Sequence, residues 1–60
     1  MITRLDVLNV AKSISIDLTE SDIDEVLTQY PSEQDNDPTA TWDLVIENCI
    51  YNINNDKINE

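Results

Sequence analysis

The chain of 60 residues contains no glycine, no histidine and only one cysteine. Tight β-hairpins favour Asn-Gly, Asp-Gly or Gly-X pairs, and phosphate-binding loops require glycine, so neither is expected here. A single cysteine excludes an internal disulfide, and without histidine there is no Cys/His set with the spacing of a zinc site. The sequence therefore favours helices joined by polar loops, and it indicates no cofactor and no metal.

Basic residues are also scarce, because 3 Lys and Arg stand against 13 Asp and Glu, for a net charge of −10. Such a charge repels nucleic acid and anionic membranes and attracts basic protein surfaces. No long apolar run predicts a membrane span, and the first residues do not have the pattern of a signal peptide. We expect a cytoplasmic protein that binds no membrane and no nucleic acid directly, and whose partner is a basic protein surface.

Residue types that commonly carry catalysis are few. Cys49 lies within an apolar stripe, where a small buried hydrophobe is expected rather than a nucleophile. Carboxylates are plentiful, but three short helices leave little room for a pocket of about 300 Å³ or more. A calcium loop starting at Asp35 fails, because Ala40 replaces the turn glycine and Ile46 replaces the bidentate glutamate. The sequence predicts a protein that is not an enzyme.

The widest apolar stripe lies in segment 41–53, where six apolar side chains recur at helical spacing. Just upstream, Asp37-Pro38 has the pattern of an N-cap followed by proline at the first helical position. These features predict a third helix over about 38–54. Its stripe consists of Trp42, Val45, Ile46, Cys49, Ile50 and Ile53.

The first helix is predicted over about 3–14. Thr3 is a suitable N-cap, and Asp6 three residues later makes a near capping box with Asp in place of the usual Glu or Gln. The following residues alternate polar and apolar, but the chain has no second alternating run to pair with them as a strand. They are predicted to form a connector with Ile16 and Leu18 turned inward.

The second helix is predicted over about 19–30. Thr19 is the expected N-cap, and acids in the first turn suit the positive end of the helix dipole. Pro31 lacks a backbone donor and disfavours helical geometry at Tyr30, so the helix is expected to end at Gln29 or Tyr30. Residues 31–37 are then predicted to be a solvated loop.

Together these segments predict an all-α, three-helix domain over residues 1–60, with a polar tail that frays from about residue 54. A chain this short buries little apolar surface, so homodimerisation or a partner protein is expected to complete the fold. The predicted core consists of Val7, Leu8, Ala11, Ile14, Leu18, Ile23, Val26, Leu27, Trp42, Val45, Ile46, Cys49, Ile50 and Ile53.

Acidic residues cluster at the start of the predicted second helix and in the loop beyond it. In one interpretation, the charge only keeps a small apolar-rich protein soluble and complements helix N-termini. In the other, the carboxylates imitate a run of phosphates and occupy the nucleic-acid channel of a basic protein. The candidate partner-binding acids are Glu20, Asp22, Asp24, Glu25, Glu33, Asp35 and Asp37.

Leu44 and Tyr51 are the remaining candidates for partner binding. At about 100° per residue, they fall together on the third helix, roughly opposite its apolar stripe. One interpretation is that this helix is sandwiched between the other two and is buried on more than one side. The other is that both residues, with Asn48, form a contact patch for a second copy or for a host protein.

The stretch TWDLVIENCIY, preceded by an acidic segment with Asp-Pro, resembles parts of very small acidic proteins of bacteriophages and related mobile elements. The resemblance runs from about Leu18 to Tyr51 and points to no named family. It implies a protein that inhibits a host enzyme, such as a defence nuclease, or one that assists assembly. Our functional hypothesis is a phage-encoded inhibitor that acts by binding. The alternative is a structural or assembly protein that self-associates or docks through Leu44 and Tyr51.

Overall fold

The computed structural model describes the backbone of residues 2–58 and the side chains of residues 2–55. Three helices follow one another: α1 (Arg4–Ser13), α2 (Glu20–Asn36) and α3 (Trp42–Ile58). The part of the chain described contains no strand. The most extensive contact is between α2 and α3, and α1 packs against both. The predicted all-α, three-helix fold is confirmed.

Both α1 and α2 begin with a complete capping box. Thr3 N donates to Asp6 Oδ2 at 2.9 Å, and Asp6 N donates to Thr3 Oγ1 at 3.3 Å. At the second helix, the corresponding distances between Thr19 and Asp22 are 3.0 and 3.1 Å. Each box satisfies two backbone donors that would otherwise lack a partner. The N-caps predicted for these two helices, Thr3 and Thr19, are therefore confirmed.

Since the chain has no glycine, the turn that ends the first helix places Ser15 in the left-handed conformation, with φ of 57°. Ser15 N donates to Lys12 O at 3.2 Å, and Ile16 N donates to Ala11 O at 3.0 Å. This pair of bonds is a Schellman motif, in which glycine is the usual left-handed residue. The turn directs Ile16 back onto the core, as the sequence predicts for this connector.

The predicted end of the second helix at Gln29 or Tyr30 is wrong, because α2 continues through Pro31 to Asn36. Proline removes one backbone hydrogen bond, but the following turn makes bonds of its own. The Tyr30 hydroxyl donates to Gln34 Oε1 at 3.0 Å, and Asp37 N donates to Glu33 O at 3.2 Å. Most of the predicted loop 31–37 is therefore helical, and tertiary and capping contacts outweigh the local preference of proline.

The predicted start of the third helix at Pro38 is also wrong, because Asp37 is the C-cap of α2 and α3 begins at Trp42. Ala40 N donates to Asp37 O at 3.1 Å, which closes a turn with Pro38 at its second position. Asp-Pro is as typical of the first two turn positions as of a helix start. The first helical carbonyl is that of Thr41, which accepts from Val45 N at 3.1 Å.

The core lies where the three helices meet, and two predicted core residues do not belong to it. Leu8 is 38% exposed because it lies beside Leu5 on the outer side of α1. Trp42 is 48% exposed because it is the first residue of its helix rather than one turn inside it. Ile14, Leu18 and Leu27 are partly buried against the cluster. The buried apolar residues are Val7, Val10, Ala11, Ile23, Val26, Val45, Ile46, Cys49, Ile50 and Ile53.

The backbone of α3 reaches Ile58, beyond the predicted end at about residue 54. The last two residues of the expected polar tail, 59 and 60, lie outside the described residues. Over the length that the structure describes, no helix combines the length and the apolar character needed to cross a membrane.

Candidate interaction surfaces

The acids at the start of α2 divide into two kinds. Glu20, Asp24 and Glu25, here called the N-terminal acids, are exposed. Asp22, in contrast, is buried, and its carboxylate accepts the Thr19 backbone bond that caps the helix. Asp22 therefore caps the helix and is not part of the exposed acidic surface. All four residues are near the positive end of the helix dipole, where negative charge stabilises a helix.

The acids at the other end of α2 lie near the negative end of its dipole, and one of them, Asp37, accepts a hydrogen bond from Thr39 Oγ1 at 3.1 Å in the turn that follows. Glu33 is partly buried, and Asp35 and Asp37 are exposed; they are called the C-terminal acids. The last turn of this helix contains no basic residue. Carboxylates near the negative end of a helix dipole are unfavourable, typically by about 0.3–1 kcal/mol each. The sequence predicts a loop for these residues, where this cost does not arise.

The two acidic groups are separated by an uncharged stretch, since residues 26–32 contain no ionisable side chain other than Tyr30. Glu33 lies eight positions after Glu25 along the helix, which corresponds to a rise of about 12 Å at 1.5 Å per residue. Among the side chains that the structure describes, one ion pair is present, between Arg4 and Asp24. Most of the acidic charge on α2 therefore faces solvent without a basic partner within the described chain.

A second surface lies on α3. Leu44 is 49% exposed and Tyr51 is 44% exposed. The interpretation that α3 is sandwiched between the other helices is therefore wrong: one face packs on α1 and α2, and the other is open. Asn48 is exposed between the two residues, and these three side chains are called the α3 outer face. Residues 48–55 contain no charged residue, although the chain carries −10 overall.

A third feature, which the sequence analysis did not identify, is a groove of about 280 Å³ lined by Ile2, Asp6, Tyr30 and Trp42. It is called the aromatic groove. It forms where the capped start of α1 meets the later part of α2 and the start of α3. Helical spacing aligns Trp42 with the buried stripe, and only the true start of α3 shows that it lies at the end of the helix. The groove can be predicted from the sequence only if Asp37-Pro38 is assigned to a turn, because α3 then begins at Trp42.

The one thiol of the chain, Cys49, is buried within the core cluster to which all three helices contribute. Burial, with a smaller contribution from the negative charge of Glu33, raises the pKa of Cys49 to about 11. A thiol with this pKa is almost entirely protonated at neutral pH and is a poor nucleophile. Among the described side chains, no three His, Cys, Asp or Glu residues converge in a group that could hold a metal ion.

No protein-family model matches the chain, and no curated protein or solved structure shows significant similarity to it. The fold and the three surfaces define a small acidic three-helix domain. Arguments about its function therefore depend on the chemistry of these surfaces.

Proposed function

We propose that the protein is a non-enzymatic, phage-encoded inhibitor whose acidic surface occupies the basic nucleic-acid-binding groove of a host protein, such as a defence nuclease. The observation that supports this proposal most directly is the position of the C-terminal acids. Asp35 lies exposed in the last turn of α2, where its charge opposes the helix dipole. Asp37 follows as the C-cap, with Oδ1 accepting from Thr39 Oγ1. Residues that violate a local rule of stability are expected at functional sites.

The separation of the two acidic groups is also compatible with this role. Phosphates of one DNA strand advance by about 3.4 Å along the helix axis. A gap of about 12 Å between Glu25 and Glu33 corresponds to three or four phosphates on this scale. The two acidic groups therefore correspond to the two ends of a short run of phosphates. The uncharged middle of α2 supplies no negative charge in place of the phosphates between them. A basic channel that binds DNA would have to tolerate this gap.

The test is capture from a bacterial lysate with tagged protein, with elution by salt and, separately, by duplex DNA. If the acids occupy a nucleic-acid channel, both treatments release the captured protein, because salt screens the attraction and DNA competes for the same surface. Duplex RNA and a neutral polymer serve as controls for shape and crowding. Capture that survives both high salt and excess DNA would contradict the proposal.

The exposure of the α3 outer face favours one alternative, a structural or assembly protein that self-associates or docks through Leu44 and Tyr51. Leu44 and Tyr51 present apolar area to solvent, and residues 48–55 carry no charge, although Glu47 lies three residues after Leu44 and four before Tyr51. Light scattering of the purified protein distinguishes the two roles. A stable dimer that Leu44→Glu with Tyr51→Ser converts to a folded monomer supports the alternative. A wild-type monomer at high concentration argues against self-association.

A further inference from the structure

We propose that the aromatic groove holds an arginine side chain of the basic partner, and that this contact anchors the acidic surface; the inference rests on the proposed function. The groove brings an exposed indole ring and a phenol ring together with a carboxylate. These are the groups that bind a guanidinium: the aromatic faces attract its positive charge, and the carboxylate forms charge-assisted hydrogen bonds with it.

The size of the groove argues for a single side chain. Its volume of about 280 Å³ lies below the range of about 300–1,000 Å³ that is typical of small-molecule sites. An inserted side chain from a protein partner needs no larger space. Trp and Tyr are also residue types that contribute strongly to binding where they accept such a side chain.

The existing hydrogen bonds of Asp6 and Tyr30 leave a carboxylate oxygen and an aromatic face available to a cation in the groove. Asp6 Oδ2 accepts from Thr3 N, and within the described residues no donor occupies the other carboxylate oxygen. The Tyr30 hydroxyl already donates its hydrogen bond to Gln34 Oε1, so this residue contributes mainly the apolar face of its ring to the groove. A purely apolar occupant would desolvate Asp6 without a partner, and an acidic occupant would be repelled. Arginine fits better than lysine, because a planar guanidinium stacks on rings and pairs with a carboxylate through two donors.

The groove is also tied to the C-terminal acids. Gln34 accepts from Tyr30 and donates from Nε2 to the main-chain oxygens of Asp37 and Ala40, each at 3.3 Å. The groove and the connector that carries Asp37 are therefore parts of one hydrogen-bonded unit. A basic segment with one arginine in the groove can place its neighbouring basic residues near these acids.

The experiment uses three blocked hexapeptides, hexa-arginine, hexalysine and hexacitrulline, the last being a neutral analogue of arginine. Trp42 is the only tryptophan of the chain, so its fluorescence reports directly on the groove. Binding constants are measured by calorimetry for the wild type, Asp6→Asn and Asp17→Asn. The two variants lose the same charge, but Asp17 is exposed outside the groove. Asparagine at position 6 retains an oxygen that can accept from Thr3 N, and circular dichroism verifies the helices.

If the inference is correct, hexa-arginine changes Trp42 emission more than hexalysine does, and hexacitrulline leaves it unchanged. Asp6→Asn then weakens hexa-arginine binding by about tenfold, the loss of one charge-assisted contact, while Asp17→Asn weakens it less than about threefold. Trp42→Leu gives an independent loss of affinity by calorimetry. Equal losses of affinity for Asp6→Asn and Asp17→Asn, with unchanged Trp42 emission, would contradict arginine binding in the groove. They would not contradict the proposed role of the acidic surface. Absence of hexa-arginine binding even at low salt would contradict both.

Discussion

The hydroxyl of Tyr30 donates to Oε1 of Gln34 at 3.0 Å, across the helical turn that contains Pro31. The Gln34 amide then donates to two carbonyls of the connector between α2 and α3. One side chain therefore supports the helix beyond its proline and holds the turn that follows. This arrangement explains why α2 continues where the sequence predicts its end.

The first prediction concerns this residue. Gln34→Ala removes all three hydrogen bonds of this side chain and is expected to lower the free energy of unfolding by about 1–2 kcal/mol. Tyr30→Phe removes one hydrogen bond and is expected to cost about 0.5–1.5 kcal/mol. Urea unfolding followed by circular dichroism measures both values. Gln29→Ala is the matched control on the same helix, because Gln29 makes only a long contact of 3.4 Å with Glu25. Equal stability of Gln34→Ala and the control would contradict the role assigned to Gln34.

Local sequence patterns predicted much of the fold. Thr3 and Thr19, each followed three residues later by Asp, predicted where α1 and α2 begin, because capping depends on neighbouring residues alone. The predictions from Pro31 and Asp37-Pro38 were wrong, because both motifs have two structural uses. The choice depends on side-chain bonds, such as those of Gln34 to Tyr30 and Ala40, that the motifs themselves do not reveal. The aromatic groove escaped prediction for the same reason: Trp42 is in phase with the core stripe, and its exposure depends on the true start of α3.

The second prediction compares a buried and a half-exposed residue of that stripe. Ile50 is fully buried, and Ile50→Ala is expected to cost about 2–5 kcal/mol. Trp42→Ala is expected to cost less than this, because nearly half of the side chain already contacts solvent. Thermal unfolding of both variants gives the comparison. A greater loss for Trp42→Ala would place this residue in the core after all and would contradict the position of α3.

The third prediction concerns charge at the two ends of α2. Asp35→Asn is expected to raise the free energy of unfolding by about 0.3–1 kcal/mol, and Glu20→Gln is expected to lower it by a similar amount, because the helix dipole favours acids only at its N-terminus. Both effects should diminish in high salt. The two substitutions remove the same charge, so chemical denaturation of the pair separates the dipole effect from net charge. Stabilisation by both variants would indicate general charge repulsion instead.

The fourth prediction concerns Cys49. Burial raises its pKa from the ordinary value for a cysteine thiol to about 11, so the folded state resists ionisation of the thiol more than the unfolded state does. The contribution of this group to stability is therefore intact below pH 9 and is lost as the pH rises toward 11. A comparison of unfolding between pH 8 and pH 11 in the wild type and in Cys49→Ala isolates the effect.

Thiol reactivity provides a second readout for Cys49. A disulfide reagent at pH 8 is expected to label the thiol slowly in the folded protein and rapidly in urea, because the folded thiol is both buried and protonated. Rapid labelling in native buffer, at the rate of the unfolded chain, would contradict the buried position.

The proposed function requires that the C-terminal acids contact a basic partner. The most direct measurement compares capture by two triple variants of equal net charge, Glu33→Gln with Asp35→Asn and Asp37→Asn, and Glu20→Gln with Asp24→Asn and Glu25→Gln. The first variant is expected to lose affinity for the captured protein by about tenfold or more, the effect of one or two charged contacts, and the second is expected to lose less. Equal losses, or no loss in the first variant, would contradict it.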